Sequence, residues 1–245
     1  MALSIAGLLV LLVVLINLTP VQNFLVRKAT DMLSQRLKTT VSIQHVRFDF
    51  ANHVLLQGVY VADQSKDTIL YAGEVQVRVT DWFFLRNATP VLHYIGLHDA
   101  YVHLYRTSTS GVWNYQFLAD AFSTKKDTTK KSKTIEIDLK KIDLQNVRFH
   151  MNDAWVGDDM NYDVGSFQLD AKGIDFKKKT IDVNNIEAVA VAISLYDYKG
   201  GRPAKHHATV PEVIDTTAFN PDKWQVKLNK LSLKNCAFNL KSAED

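Results

Sequence analysis

Eight histidines and one cysteine are the side chains best able to hold a metal ion or act as nucleophiles. His93, His98, His103 and His150 fall in segments that alternate like β-strands. No acidic residue accompanies them at a metal-ligand spacing. His93 and His103 take the polar positions of their strands, and His206 and His207 are neighbours in a loop, where adjacent side chains rarely aim at one ion. The pattern argues against a metal site. Cys236, alone in the chain, excludes an internal disulfide and a cysteine-based zinc site. Its apolar alternation predicts a small core residue. A phosphate-cradling glycine loop, His-Glu-x-x-His, Gly-x-Ser-x-Gly and a paired-cysteine motif are all missing from the sequence. It predicts no enzyme, no cofactor and no catalytic residue.

With catalysis set aside, the question becomes which solvent the chain occupies. Met1 to Val26 carries no charge, and Ala2 to Leu18 is built almost entirely of Leu, Val, Ile, Ala and Gly. Seventeen such residues at about 1.5 Å each span roughly 25 Å, slightly short of a bilayer core of about 30 Å. The segment, residues 1–18, is therefore either a transmembrane anchor or a secretory signal. Asn17-Leu-Thr-Pro-Val-Gln-Asn-Phe offers no small-residue cleavage pattern, which favours the uncleaved anchor. Arg27 and Lys28, the nearest cations, by themselves argue that the C-terminal side faces the cytoplasm.

Residues 19–38 change period. Thr19 followed by Pro20 is a helix-opening pair, with Thr as the cap. Val21, Phe24, Leu25, Ala29, Met32, Leu33 and Leu37 then recur at helical spacing, with polar residues on the other faces. This amphipathic helix either packs on the domain behind it or lies flat on a membrane. The mixed sign of its polar face favours packing.

About 200 residues remain, enough for one large or two small domains. There are 29 basic and 26 acidic side chains, for a net charge of +3. Lys125, Lys126, Lys130, Lys131 and Lys133 crowd one run beside Asp127, and the rest of the chain is balanced, which argues against a nucleic-acid partner.

From Val41 onward, alternation of period two replaces the helical pattern, as in Val75-Gln-Val-Arg-Val79 and Ile135-Glu-Ile-Asp-Leu139. It predicts antiparallel strands with one wet face. One template recurs: apolar, x, apolar, x, then Gly, Asp or Asn, then apolar, x, apolar. It starts at Val54, Ile95, Ile142 and Leu231, at separations of 41, 47 and 89 residues, a period typical of repeat architectures. Each copy slips phase, at Gly58, Asp99, Asn146 and Asn235, so a regular strand would swing its apolar residues to the other face there. A bulge or bend must absorb one residue, and these residue types accept the backbone angles needed. Bends at equal intervals curl a sheet into a trough.

Ser123 to Lys133 has no apolar residue and is expected to be a solvated linker, with a lipid-headgroup contact as the secondary reading. Tyr198 to Asn220 is a second long loop. Asp81-Trp-Phe-Phe-Leu85 is expected either to tuck under the trough as a turn or to form an exposed aromatic membrane contact. After Lys38 no further amphipathic helix is long enough to cover the sheet. Its apolar side is then a channel open to acyl chains unless the sheet folds over on itself.

The order anchor, Thr19-Pro20-Val-Gln-Asn-Phe-Leu, amphipathic helix, Val41-Ser-Ile and Val46-Arg-Phe resembles the N-terminal region of bacterial AsmA-like proteins, in particular TamB-type (translocation and assembly module) members from Bacteroidetes-like bacteria. Tyr71-Ala-Gly-Glu, Asp81-Trp-Phe-Phe-Leu, Leu92-His-Tyr-Ile-Gly-Leu and Phe219-Asn-Pro-Asp-Lys-Trp are similar to stretches of that group. The resemblance spans essentially the whole chain and is structural rather than catalytic. It implies a single-pass protein of the bacterial inner membrane whose periplasmic part, residues 39–245, is a curved, repeated antiparallel β-groove. It also implies passage of phospholipids between the inner and outer membranes. An outer-membrane β-barrel partner would meet a C-terminal part absent here, and the chain is expected to be an N-terminal piece. The expected lining is Leu56, Val59, Val61, Val75, Val77, Val79, Val102, Leu104, Val147, Phe149, Phe238 and Leu240. The alternative is a membrane-tethered scaffold that assists assembly of outer-membrane β-barrel proteins by offering them sheet edges.

Overall fold

Strands that alternate over 10 to 18 residues need hydrogen-bonded neighbours along their whole length, and the computed structural model supplies them in a single sheet. The structure describes residues 18–49, 53–79, 91–122, 136–175, 179–203, 220 and 223–243. Among these are helix α1 (Thr19–Leu37), strands β1 (Val41–Ser42), β2 (His45–Asp49), β3 (His53–Ala62), β4 (Thr68–Val79) and β5 (Val91–Arg106), and the short helix α2 (Gln116–Phe122). They are followed by β6 (Glu136–Asp153), β7 (Asp158–Asp175), β8 (Thr180–Asp197), β9 (Gln225–Lys234) and β10 (Ala237–Ser242). The protein is mainly β, with one curved, open, mixed sheet that does not close. Its order is β1-β3-β4-β5-β6-β7-β8-β10, with β2 continuing β1 along β3 and β9 preceding β10 along β8.

The expectation of a purely antiparallel sheet is corrected. β5 pairs with β6 in parallel, and β8 pairs in parallel with both β9 and β10. The antiparallel neighbours are joined by connections of at most eleven residues, whereas parallel neighbours require the chain to return to the end at which it started. The two parallel joints fall where the sequence has its long connections, 107–135 and 198–224. The repeating unit is therefore a three-stranded meander, β3-β4-β5 and then β6-β7-β8, with units joined in parallel. β9 and β10 stand beside β8 as β6 stands beside β5.

The phase slips line up. Following the register from strand to strand, Gly58 faces Gly73, then Asp99, Asn146, Gly165, Ala190 and Asn235. These seven residues form one crease across the sheet, perpendicular to the strands. On strands running in the direction of β3 the crease residue has positive φ: Gly58 60°, Asp99 49°, Asn146 50°, Ala190 53° and Asn235 54°. On β4 and β7, which run the other way, it is a glycine without positive φ. There the missing Cβ gives room, since a Cβ on Gly73 would lie 3.1 Å from that of Asp99 and one on Gly165 2.9 Å from that of Ala190. Asn146 donates its side-chain amide to Asp99 Oδ1 at 2.7 Å, tying β5 to β6 along the crease.

At one edge, α1 packs on β1, β2 and α2 through Val26 and Leu37, both nearly buried. Packing, the favoured alternative for this helix, accounts for that face. It runs from Thr19 to Leu37, where residues 19–38 were expected, and Thr19 is not the cap. Leu18 holds that position without a side-chain capping bond, its carbonyl accepts from the amides of Val21 and Gln22, and Lys38 ends the helix in a left-handed conformation. Among the described residues no helix is long and apolar enough to cross a membrane. The expected anchor, apart from Leu18, lies outside those residues, as do Asp81 to Leu85 and the linker 123–133.

Candidate functional site

Because paired residues on neighbouring strands share a face and alternate residues along a strand do not, the register sorts the sheet into rows. Five rows carry apolar side chains on one face. Below the crease run Val54, Val77, Ile95, Ile142, Leu169 and Ile186, and next to it Leu56, Val75, Leu97, Leu144, Phe167 and Ala188. Directly above the crease run Val59, Ala72, Ala100, Val147, Val164 and Val191, followed by Val61, Leu70, Val102, Phe149, Tyr162 and Ile193. Leu104, Met151, Met160 and Leu195 complete the face. The contacts agree with the register. Val59, Ala72, Ala100 and Val147 form a buried cluster, and Leu56, Val75, Leu97 and Leu144 from across the crease pack on it. The crease thus keeps both halves of the apolar pattern on one side. A strand without it would turn one half over to solvent.

Of the twelve predicted lining residues, nine belong to these rows. Phe238 and Leu240 extend two of them onto β10, opposite Ile193 and Leu195. The backbone of Val79 pairs with Leu92 after a register shift, and its side chain lies outside the described set. Sequence reasoning missed the contributions of β7 and β8, and Ala72 and Leu70 on β4. On β4 and β7 the template runs backwards, and its signature is a spacing of three between apolar residues, as from Ala72 to Val75 and from Val164 to Phe167.

Exposure varies systematically over this surface. The row at the crease is nearly closed to solvent (Ala72 0%, Ala100 4%), the rows farther out are half-buried, and at the β9–β10 edge Leu233, Phe238 and Leu240 are 60–65% exposed. Cys236 is also exposed, with its thiol 3.6 Å from the Ala188 carbonyl. The expected core cysteine is thereby corrected: its strand lies at the sheet edge, with no neighbour on its outer side among the described residues.

The apolar face ends at a charged row. Two residues beyond Leu104 comes Arg106, which is aligned with Asp153, Asp158 and Asp197 on the successive strands. Arg106 donates to both carboxylate oxygens of Asp153 at 2.6 Å, and its guanidinium lies 4.8 Å from the centre of the Trp113 ring. The Arg106 hydrogen bonds hold the Asp153 carboxyl below the usual carboxylate range. Asp158 is pushed the other way, first by burial and then by the charges of Asp197, Asp153 and Asp159. Beside this rim a cavity of about 350 Å³ is lined by Asp63, Tyr105, Trp113, Asn114, Phe117 and Asp120, among others. Tyr105 donates to the buried Asp63 carboxylate at 2.8 Å, and burial together with that bond pushes the phenol up to about 12.

The opposite face is polar and holds His98, His103 and His150. His98 lies 3.4 Å from Glu74 and 3.9 Å from Asp143, its neighbours on β4 and β6. Its acidic company comes from adjacent strands and is invisible to spacing along the chain. His103 reaches Asn152 at 3.0 Å, and Tyr101 meets the His150 ring edge-on. Among the described residues no group of three or more His, Cys, Asp or Glu is placed to hold a metal ion. A scan against protein-family models gives no match, and no curated protein matches the chain.

Proposed function

We propose that the apolar face is the wall of an open groove that accepts phospholipid acyl chains and conducts them between the inner and outer membranes of a bacterial envelope, with residues 1–18 as the anchor in the inner membrane. The reading identifies the chain as an AsmA- or TamB-like N-terminal region, its bulk in the periplasm. The observation that carries it is the unbroken set of four apolar rows from β3 to β8, with a fifth from β5 to β8. Among the described residues α1 packs on the β1–β2 edge and α2, and no second layer lies over the rows. Burial of Ala72 and Ala100 without such a layer is what the floor of a folded trough produces. Continuity matters energetically. Each methylene left in water costs about 0.8 kcal/mol, so a polar gap exposing ten methylenes raises a barrier of about 8 kcal/mol, whereas an unbroken apolar wall keeps transfer from the bilayer nearly level.

The test is phospholipid content after gentle extraction of the full chain, measured by mass spectrometry. Lipid should copurify, and Val77→Asp or Phe149→Asp should abolish it, while the same charge at Gln76, on the polar face of β4, should leave it in place. Well-folded protein that carries no lipid, or lipid retained by both groove variants, refutes the conduit.

A second reading, a tethered scaffold for outer-membrane β-proteins, draws support from the exposed β9–β10 edge, whose outer side pairs with no strand among the described residues. It predicts crosslinks from β10 to client strands and indifference to groove charges. Crosslinks confined to the polar face would count against it.

A further inference from the structure

Packing accounts for only one side of α1. Val26 and Leu37 face the sheet edge, whereas Phe24 and Met32 are each 60% exposed and Leu18 is 45% exposed. Apart from these and the β9–β10 edge, the exposed bulky apolar residues among those described are Tyr71, Val112, Val156 and Tyr196. At 100° per residue, Phe24, Lys28, Asp31 and Gln35 lie along one line of the helix, opposite Val26, with Met32 at its flank. Though mixed in sign, the segment carries a net charge of +3, with Arg27, Lys28, Arg36 and Lys38 against Asp31. Arg36 also donates to the Ala121 carbonyl, so the helix is pinned to α2 while its outer side stays open.

We infer that the outer face of α1 is a docking surface for an anionic lipid bilayer, with Phe24 and Met32 seated at the headgroup boundary and the neighbouring cations on the phosphates. The helix lies flat there rather than standing on its N-terminus. Packing and membrane contact, alternatives in the sequence, become the two sides of one helix. In that pose α1 sets the β1–β3 end of the apolar rows against the bilayer, where a tail would enter. The inference rests on the anchored reading but not on conduction, because a sheet that carries no lipid would still show the helix in contact.

The experiment uses the full chain reconstituted in phosphatidylcholine vesicles containing about one third phosphatidylglycerol. In a Cys236→Ser background, an environment-sensitive fluorophore is placed by Phe24→Cys or Gln35→Cys, and nitroxide-labelled lipid is the quencher. The two positions lie on nearly the same line of the helix, about 16 Å apart along the axis. A flat helix gives equal quenching at both, at least threefold above a label on Cys236 of the unmodified chain. Replacing the anionic lipid with neutral lipid, or adding Lys28→Glu, should at least halve the quenching at position 35. Quenching at 24 with none at 35 means an upright helix and overturns the proposal. So does failure of the chain to float with the vesicles. Quenching at 35 that is indifferent both to lipid charge and to Lys28→Glu overturns the ionic contact.

Discussion

Ala190 is the one crease residue on the β3-directed strands that lacks the chemistry expected there, since alanine at a φ of 53° has no side-chain compensation. A left-handed L-residue costs about 1–2 kcal/mol, and glycine removes that cost while adding about 0.4–1 kcal/mol of unfolded-chain entropy. Ala190→Gly should therefore stabilise the protein by about 0.8 kcal/mol on balance of those two effects. The control is Ala192→Gly, two residues along the same strand with no positive φ, where glycine should cost about 0.5–1 kcal/mol. Urea titration followed by intrinsic tryptophan fluorescence reads both. With a denaturant slope of about 2 kcal/mol/M, the midpoints move by about 0.4 M in opposite directions at unchanged slope. If both variants fall below the parent by similar amounts, the crease is not a line of backbone strain, and the account of how the apolar pattern stays on one face fails with it.

Four more outcomes follow from local chemistry. Because Asp153 has a folded pKa depressed by Arg106, its contribution is complete above the ordinary carboxylate value of 3.8 and is lost as pH falls below it. Asp153→Asn should thus cost about 1.5–3 kcal/mol at pH 7 and progressively less as pH falls below 3.8. Asp158, raised instead, has the opposite sign, and Asp158→Asn should stabilise at pH 7 with an advantage that disappears once pH falls below 3.8. Urea midpoints across pH check both. Tyr105→Phe should delete one phenol ionising near pH 12 from the ultraviolet titration and, by stripping the buried Asp63 carboxylate of a donor, cost about 1–3 kcal/mol. Cys236 should react with a maleimide in the folded state at a rate close to that of a free thiol. Protection until unfolding would show that its edge is covered.

The sheet was legible from alternation alone, and the crease from four residues of the right type, because both depend on local backbone geometry. The parallel joints were not, since alternation reports which face a residue takes and says nothing of strand direction. The third interval of the template, 89 residues, hid a copy: Ile186-Glu-Ala188-Val-Ala190-Val191-Ala-Ile193 fits between Ile142 and Leu231, at separations of 44 and 45. It escaped notice because alanine occupies the slip. The acidic neighbours of His98 were hidden for a related reason, as Glu74 and Asp143 come from other strands. Residues alike in type and direction could be found; those brought together only by pairing could not.

Joining three-stranded meanders in parallel also bears on how the chain folds. Within a unit the β6–β7 hairpin closes over a few residues, from Asp153 to Asp158, whereas the β5–β6 seam first pairs residues 45 apart, Val91 with Glu136. Closing the longer loop costs about 2 kcal/mol more in chain entropy, and non-local pairing slows folding. The hairpins form early and the seams last, so each seam is also the line along which neighbouring units first separate in native-state hydrogen exchange.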